Sequence, residues 1–398
     1  MTYDDPFRCF VPYPDAPVRN APGGPLSGLT LAVKDLFDVK GYPTGAGSPI
    51  VLAQSGIKTK TAPVVKALLE AGARFVGKTH TDELAFSLNG KNAHFGSPIN
   101  PAAPARITGG SSCGSMAAVA GRLADIALGS DTGGSVRAPA SYGGLFGIRP
   151  SHGRISLKRT WPLAESLDTA GWFARDGETF ARVGAVLLGK DRIALPSAPR
   201  FLLADDMFAQ AVPEAETILR NAVQRAMPGL GEPEAVTAVR DIDALYWAFR
   251  WIQGREAWAA DGAMIERFDP PLGPGVKERF AFSKAVTEEQ YAKGEATRKT
   301  FRARLARLLG QDGVLILPTV PDIAPLVSAQ EPELDDFRNR ALRLLCLSGL
   351  SGFPQVTIPV AQREGAPLGL SLIGPKGSDA SLIGVALAYE RASRIRIA

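Results

Sequence analysis

Two segments rich in glycine and serine hold the residue types from which an acyl-transfer site can be built. They are Thr108-Gly109-Gly110-Ser111-Ser112-Cys113-Gly114-Ser115 and Gly129-Ser130-Asp131-Thr132-Gly133-Gly134-Ser135-Val136-Arg137. A serine hydroxyl becomes a nucleophile once a base takes its proton, and successive backbone amides turned inward can hold the oxyanion that results. Ser135 follows the Gly133-Gly134 pair, where the missing side chains let a ligand come close to the backbone. On spacing alone, two blander readings stand level with this one: both segments are tight turns, or they hold an inorganic anion. The chain has three histidines, His80, His94 and His152, and three widely spaced cysteines, Cys9, Cys113 and Cys346. That leaves few bases for a Ser-His-Asp triad, and it argues against a histidine metal site, a zinc site or a disulfide framework. If the serines react, their base is of another kind.

A third segment, Gly72-Ala-Arg-Phe-Val-Gly77-Lys78-Thr79, matches the phosphate-loop pattern GxxxxGK[ST]. That motif works only when a strand precedes the loop and a helix follows it, so that helix amides cradle the phosphates. Here the pattern predicts the reverse: a helix ending at Gly72 and a strand through Arg74-Phe75-Val76-Gly77. That order argues against nucleotide binding.

The elements that would position the two serine segments are legible from periodicity. Leu29 to Lys34 alternates, with Leu29, Leu31 and Val33 on one face and Lys34 on the other, so a strand is expected. Thr61 reads as the N-cap of a helix carrying Val64, Val65, Leu68 and Leu69, stopped by Gly72. A second helix should start near Ser112 and run to Leu123, followed by a strand at Ile126-Ala127-Leu128. Residues 200–310 change character, with Tyr246, Trp247, Phe249, Trp251 and Trp258 close together, and read as a helical insertion whose aromatics pack helices. From Gly313 the strand pattern returns, in Val314–Leu317, Val356–Ile358 and Leu370–Ile373, before a last helix over roughly Ser381 to Ala392. Strands alternating with helices predict an α/β fold with a parallel or mixed sheet.

At 398 residues the chain is long enough for two or three domains of roughly 150 residues or for one large α/β unit. Its 45% hydrophobic and 21% charged residues exclude disorder as the main state. No apolar run reaches the roughly 18 residues that span a bilayer, and no secretory leader is read, so a soluble, cytoplasmic protein is expected. The net charge of +5 is spread along the chain. Its densest cluster, Arg298 to Arg307, alternates with Phe301, Leu305 and Leu308 as the solvated face of an amphipathic helix, not as a nucleic-acid surface.

The block from Thr108 to Ser151 resembles the amidase signature family, whose hallmark is a Gly-Gly-Ser-Ser-x-Gly-Ser run followed by Asp-Thr-Gly-Gly-Ser-[Ile/Val]-Arg. Similar in order are Ala32-Val33-Lys34-Asp35, Ala71-Gly72-Ala73, Asp82-Glu83-Leu84, Asn100-Pro101, Ser166-Leu167-Asp168, Leu317-Pro318-Thr319, Gly352-Phe353-Pro354 and Pro367-Leu368-Gly369-Leu370. The resemblance covers nearly the whole chain outside about 200–310. It implies a single domain over 1–398: one large mixed sheet flanked by helices on both faces, with core segments 20–195 and 311–398 and a variable substrate-pocket insertion at about 200–310.

What the resemblance implies for chemistry is a Ser-Ser-Lys triad. By motif position Ser135 is the nucleophile, Ser111, 24 residues earlier and preceded by a cis Gly110–Ser111 peptide, is the bridging serine, and Lys34 is the base. A buried lysine loses solvation for its charged form, so its pKa falls and it can accept a proton. The amides of Thr132, Gly133, Gly134 and Ser135 would form the oxyanion hole, and Gly109 and Gly110 would contact substrate. Asp131 and Arg137 are expected to orient the nucleophile loop, Lys78 and Asp82 to be structural, and Cys113 to be a packing residue. No metal or other cofactor is implied. Asp35-Leu-Phe-Asp-Val, Ser87-Leu-Asn-Gly, Phe146-Gly-Ile-Arg-Pro-Ser-His-Gly and Gly171-Trp-Phe-Ala-Arg-Asp look most like the short indole-3-acetamide hydrolases. The expected partner is therefore a small amide with an aromatic or apolar acyl group, with neither nucleic acid nor membrane, in a form compatible with a homodimer. The alternatives are a tRNA-dependent amidotransferase A-type subunit, which shares the signature but is longer and works with partner subunits, and, outside the class, a nucleotide- or anion-binding protein.

Overall fold

The structure, a computed structural model, describes residues 4–394. Its strands are β1 (Thr30–Lys34), β2 (Arg74–Thr79), β3 (Ile126–Asp131), β4 (Phe146–Arg149), β5 (Thr169–Ala174), β6 (Arg200–Ala204), β7 (Glu234–Val236), β8 (Gly313–Pro318), β9 (Gln355–Arg363) and β10 (Ala366–Ile373). All join one sheet in the order β2-β1-β3-β5-β4-β9-β10-β8-β6-β7. The pairs β1–β2, β1–β3, β6–β8 and β6–β7 are parallel, and the central pairs from β3–β5 to β10–β8 are antiparallel, so the sheet is mixed.

The helices are α1 (Pro49–Ser55), α2 (Pro63–Glu70), α3 (Cys113–Ala120), α4 (Arg137–Gly143), α5 (Gly177–Leu187), α6 (Asp205–Phe208), α7 (Pro213–Ala226), α8 (Ile242–Phe268), α9 (Val276–Ala285), α10 (Glu288–Leu309), α11 (Glu331–Ser351) and α12 (Asp379–Arg394). Strand parity distributes them between two faces. Leu31 and Val33 of β1, Ile126 and Leu128 of β3, Trp172 of β5, and Val314 and Ile316 of β8 enter one core, shared with Leu68 of α2, Phe180 of α5, Leu219 of α7 and Leu382 of α12. Their sequence neighbours Ala32, Ala127 and Phe173 pack with Met116 and Val119 of α3, and Leu315 and Leu317 with Leu245 of α8, Leu305 of α10 and Leu345 of α11. Helices thus cover both faces of the sheet, and β3, β4, β5, β8 and β10 are buried along their whole length.

Three local expectations change. Segment 200–310 is largely helical, but it opens with β6 and contains β7, which extend the same sheet beyond β8; the short apolar run Phe201-Leu202-Leu203 is long enough for a strand between β8 and the edge strand β7. Thr61 does not cap α2: Ala62 holds that position, and the Thr61 hydroxyl accepts from the Lys40 amide at 3.1 Å. Helix α3 stops at Ala120, three residues before Leu123, because Gly121 ends it and Arg122 turns into the left-handed region at φ 62°. The Gly72–Thr79 segment has α2 before it and β2 within it, and the Lys78 ammonium is buried against the Asp35 carboxylate at 2.8 Å. Among the described residues no helix is long and apolar enough to cross a membrane.

The tightest point of the central sheet is Gly171 of β5, where a Cβ would run into the carbonyl oxygen of Ile148 in β4. Backbone cannot rotate away as a side chain can. Gly171→Ala is therefore expected to destabilise the fold by roughly 1–3 kcal/mol or more, read as a lowered midpoint in urea unfolding.

Candidate active site

The sheet brings the two serine segments to one place. Strands β1 and β3 run parallel as neighbours, and both end there, β1 at Lys34 and β3 at Asp131. Lys34 shares its face with Ala32, so it points toward α3 and away from the core that takes Leu31 and Val33. The segment leading into α3 passes over that side. The Lys34 ammonium donates to Ser111 Oγ at 2.7 Å and to Ser130 Oγ at 2.9 Å, with all three residues buried. The neighbouring serine is used differently: Ser112 Oγ donates to the Ser130 carbonyl at 3.2 Å, and its amide to the Ser135 carbonyl at 3.3 Å. That second bond ties the nucleophile loop to the residue after Ser111. The Gly110–Ser111 peptide is cis.

Burial dominates the titration of Lys34. It brings the pKa down from 10.5 to about 8, against the attraction first of Asp82 and then, more weakly, of groups including Asp131 and Asp168. Cys113, next along, is wholly buried, and desolvation raises its thiol well above the ordinary range, so it is not a ready thiolate.

The turn from Asp131 to Arg137 is organised by one carboxylate. Asp131 Oδ1 accepts from the Gly134 amide at 3.0 Å and from the guanidiniums of Arg137 at 2.7 Å and Arg149 at 3.2 Å. Its Oδ2 accepts from Arg137 Nε at 3.0 Å and from the amides of Val136 and Arg137. Burial alone would raise this carboxyl, but the two arginines outweigh it and hold Asp131 far below the usual carboxylate range. Arg137 reaches on to the Leu345 carbonyl and Gln355, and Arg149 to the Leu167 carbonyl. This network bears on the expected oxyanion hole. The Gly134 amide is already given to Asp131, so of the four amides expected there, Thr132, Gly133 and Ser135 remain as the set to consider. Gly134 itself has φ 115°, a conformation that favours glycine, and Leu345 fills the space where its Cβ would be.

Gly109 and Gly110, expected to contact substrate, are closely packed. The Gly110 amide donates to the Leu88 carbonyl at 2.8 Å, and a Cβ there would collide with the Asp82 carboxylate; one on Gly109 would meet the Tyr142 ring at 2.6 Å. Asp82 in turn accepts from the Gly90 amide and gives its own amide to the Ser111 carbonyl, so it buttresses the bridging serine.

A cavity of about 390 Å³ opens on Ser130 and Thr132. Leu36, Leu157, Trp161, Pro162 and Leu163 give it apolar walls, and Asp168 is part of its lining. The rest of the lining comes from 157–168 and from turns after β1 and β2, and none of it from segment 200–310. Helix α8 approaches the catalytic loop through Phe249, whose ring lies where a Cβ on Gly133 would be. Sequence reasoning missed Ser130 and Asp168. Asp168 Oδ1 accepts from Thr132 Oγ1 at 2.6 Å, and its Oδ2 from the amides of Leu163 and Ala164, so one carboxylate fastens the loop to the cavity wall. Burial lifts its pKa to about 6 in spite of those bonds. The one available signal was its place in Ser166-Leu167-Asp168.

Comparison with known proteins points to one family. The family model described as Amidase matches residues 14–245 and 258–383. Amidase 1 of Arabidopsis thaliana is 42% identical over 388 residues, covering 90% of this chain and 91% of that protein. The A-type subunit of the glutamyl-tRNA(Gln) amidotransferase of Methanospirillum hungatei is 30% identical, covering 92% of this chain and 93% of that one. A solved crystal structure of an amidase superposes with a TM-score of 0.82 at 32% identity, covering 92% of this chain and 85% of its own.

A lysine with a lower pKa folded than unfolded costs stability at pH values below both, and the cost fades as pH rises from about 8 to 10.5. For a fall from 10.5 to about 8 the full cost is about 3 kcal/mol. The stability difference between Lys34→Met and the unaltered protein should therefore shift against Met by about that amount between pH 7 and pH 10.5. Urea unfolding at both pH values checks it. A difference independent of pH would mean that Lys34 titrates normally.

Proposed function

The chain belongs to the amidase family and is an amide hydrolase, and from that premise we propose that it cleaves a small carboxylic amide with an aromatic or apolar acyl group through an acyl-Ser135 intermediate. The observation that carries the mechanism is the 2.7 Å bond from Lys34 Nζ to Ser111 Oγ in a site where burial has brought the lysine to about 8. Neutral Lys34 takes the Ser111 proton as Ser111 takes the Ser135 proton, and Ser135 Oγ adds to the amide carbonyl. The amides of Thr132, Gly133 and Ser135 hold the oxyanion, with Thr132 steadied through its hydroxyl by Asp168. Collapse breaks the C–N bond, and the proton on Lys34 returns through Ser111 to the leaving nitrogen, which departs as ammonia from a primary amide. Water then attacks the acyl-serine, giving its proton along the same relay, and the acid leaves with Ser135 restored.

For the acyl group, the support is the cavity beside Thr132: its apolar walls and its volume suit a small ligand better than a macromolecule. The 42% identity to Amidase 1, against 30% to the amidotransferase protein, favours a free-standing hydrolase. Phenylacetamide, indole-3-acetamide, benzamide, acetamide and glutamine, assayed for ammonia release without ATP, separate these readings. Faster release from the aryl amides supports the proposal, and selective release from glutamine overturns it in favour of the amidotransferase reading.

Two further outcomes are expected. Ser135→Ala should lower kcat by roughly 10⁴-fold or more, with Ser111→Ala more damaging than Ser112→Ala. The reverse order of the two would reassign the bridging serine. Activity should rise with pH through about 8 as Lys34 loses its proton. Lys34→Arg, which keeps the charge but cannot lose it, should be nearly inactive and show no such rise. EDTA should leave the rate unchanged. Substantial Lys34→Arg activity with the same alkaline limb would end the proton relay.

A further inference from the structure

The cavity takes no lining residue from segment 200–310, yet two of that segment's helices grip its wall. Ser166 gives its amide and hydroxyl to Glu256 of α8 at 2.8 and 2.6 Å, and accepts from Arg298 of α10 at its hydroxyl and its carbonyl, both at 2.7 Å. Deeper in the wall, Trp161 is fixed at both ends. Its amide donates to the Leu36 carbonyl at 2.9 Å, beside the bridge between Phe37 and Thr160, and its indole Nε1 donates to Asp261 Oδ1 of α8 at 3.1 Å.

Asp261 is an unusual residue for that place. It is 1% exposed, and its second oxygen, Oδ2, has no hydrogen-bond partner. Burial first, and then the nearby charge of Asp168, raises its carboxyl to about 7. A buried carboxyl with one protein partner is costly, and an apolar side chain would fill the space at less cost. What the carboxyl supplies is an acceptor for the indole N–H of the half-buried Trp161, and that bond fixes the rotation of the ring. With its backbone held by Leu36 and its N–H by Asp261, the indole is a flat, rigid wall of the cavity, in a lining shared with Leu36 and Leu157.

We propose that Trp161, held in place by Asp261, is the residue that selects amides with a flat aromatic acyl group over small aliphatic ones. The proposal rests on the substrate reading above and names the contact behind it. Trp161 touches the acyl group, whereas Asp261 is a positioning residue that acts through the indole. Segment 200–310 thereby influences selectivity at one remove, through a side chain it holds and does not own.

The test is the ratio of kcat/KM for phenylacetamide to that for acetamide. Trp161→Ala should lower the ratio about tenfold or more, chiefly through KM for phenylacetamide. Asp261→Leu should lower it as well, and Asp261→Asn should restore it, because the asparagine oxygen still accepts from Nε1. In a Trp161→Phe background, which lacks the N–H, Asp261→Leu should have no further effect on the ratio. A wild-type enzyme that does not prefer phenylacetamide overturns the substrate reading itself. A wild type with that preference, and a Trp161→Ala variant that keeps it, overturns this proposal alone. If Trp161→Ala does not fold, the near-isosteric pair decides: Trp161→Phe must lower the ratio and Asp261→Asn must not. An Asp261→Leu effect that persists undiminished in the Trp161→Phe background would show that Asp261 acts generally on the fold and not through the indole.

Discussion

An ammonium group taken out of water must find acceptors or give up its proton, and the interior around Lys34 is arranged so that it can do either. The protein contains an instructive contrast. Lys78 and Lys34 lie on adjacent parallel strands, both buried, and Lys78 is paired with the Asp35 carboxylate at 2.8 Å. Lys34 makes no ion pair among the described residues, and its ammonium donates to two hydroxyls. A carboxylate fixes a positive charge in place, whereas a hydroxyl can give a proton to a neutral amine as well as accept one from a charged amine. The acids Asp82, Asp131 and Asp168 are near enough to limit the fall in pKa but do not replace the hydroxyls. With none of them burial would take the lysine lower still and make it a weaker base. In direct contact with one, it would stay charged.

The second buried charge has the opposite task. Asp131 stays ionised because Arg137 and Arg149 enclose it, and it applies that charge to three backbone amides of the turn that presents Ser135. A buried ion pair contributes little net stability on its own. Its value here is geometric: the turn has no regular secondary structure before α4, and one carboxylate replaces the ladder that a strand would have supplied. The network also spans the sheet, since Arg137 reaches Gln355 of β9 and Arg149 belongs to β4. The position of the nucleophile is therefore set by strands far apart in sequence.

Much of this is legible in the sequence. The alternation in Leu29–Lys34 places Lys34 opposite the apolar face, and the two Gly/Ser segments flank a helix and a strand that bring them back together. Resemblance to the amidase signature supplies the pairing of Ser111 with Lys34, which spacing leaves open. What stays hidden has identifiable causes. Strand β6 is five residues long at the sheet's outer part, too short for period to separate it from the helices that follow. The fate of the Gly134 amide depends on where the Asp131 carboxylate turns, and neither composition nor spacing encodes a side-chain rotamer. The cavity wall at 157–168 is irregular, with its backbone held by Leu36, Asp38 and Asp168, so it carries no periodic signal. Aromatic density draws attention to α8 instead, where Phe249 and Tyr246 pack the second core.

The site is thus carried on two supports with different tolerances. Lys34, Ser111 and Ser130 belong to β1, β3 and the approach to α3, where the apolar residues of both strands pack into cores on opposite faces. The cavity wall hangs between the turn after β1 and the helices α8 and α10, through hydrogen bonds from side chains that point out of those helices. Side-chain anchors can be exchanged without disturbing a strand, so the wall can be re-cut while the relay stays intact. The two supports meet at Asp168, which holds Thr132 with one oxygen and the Leu163–Ala164 turn with the other. Because the same carboxylate serves both, a displacement of the wall is carried to Thr132 through its hydroxyl. In the mechanism proposed above, with the Thr132 amide at the oxyanion, a shift of the whole wall would reach kcat, whereas trimming one lining side chain would act chiefly on KM.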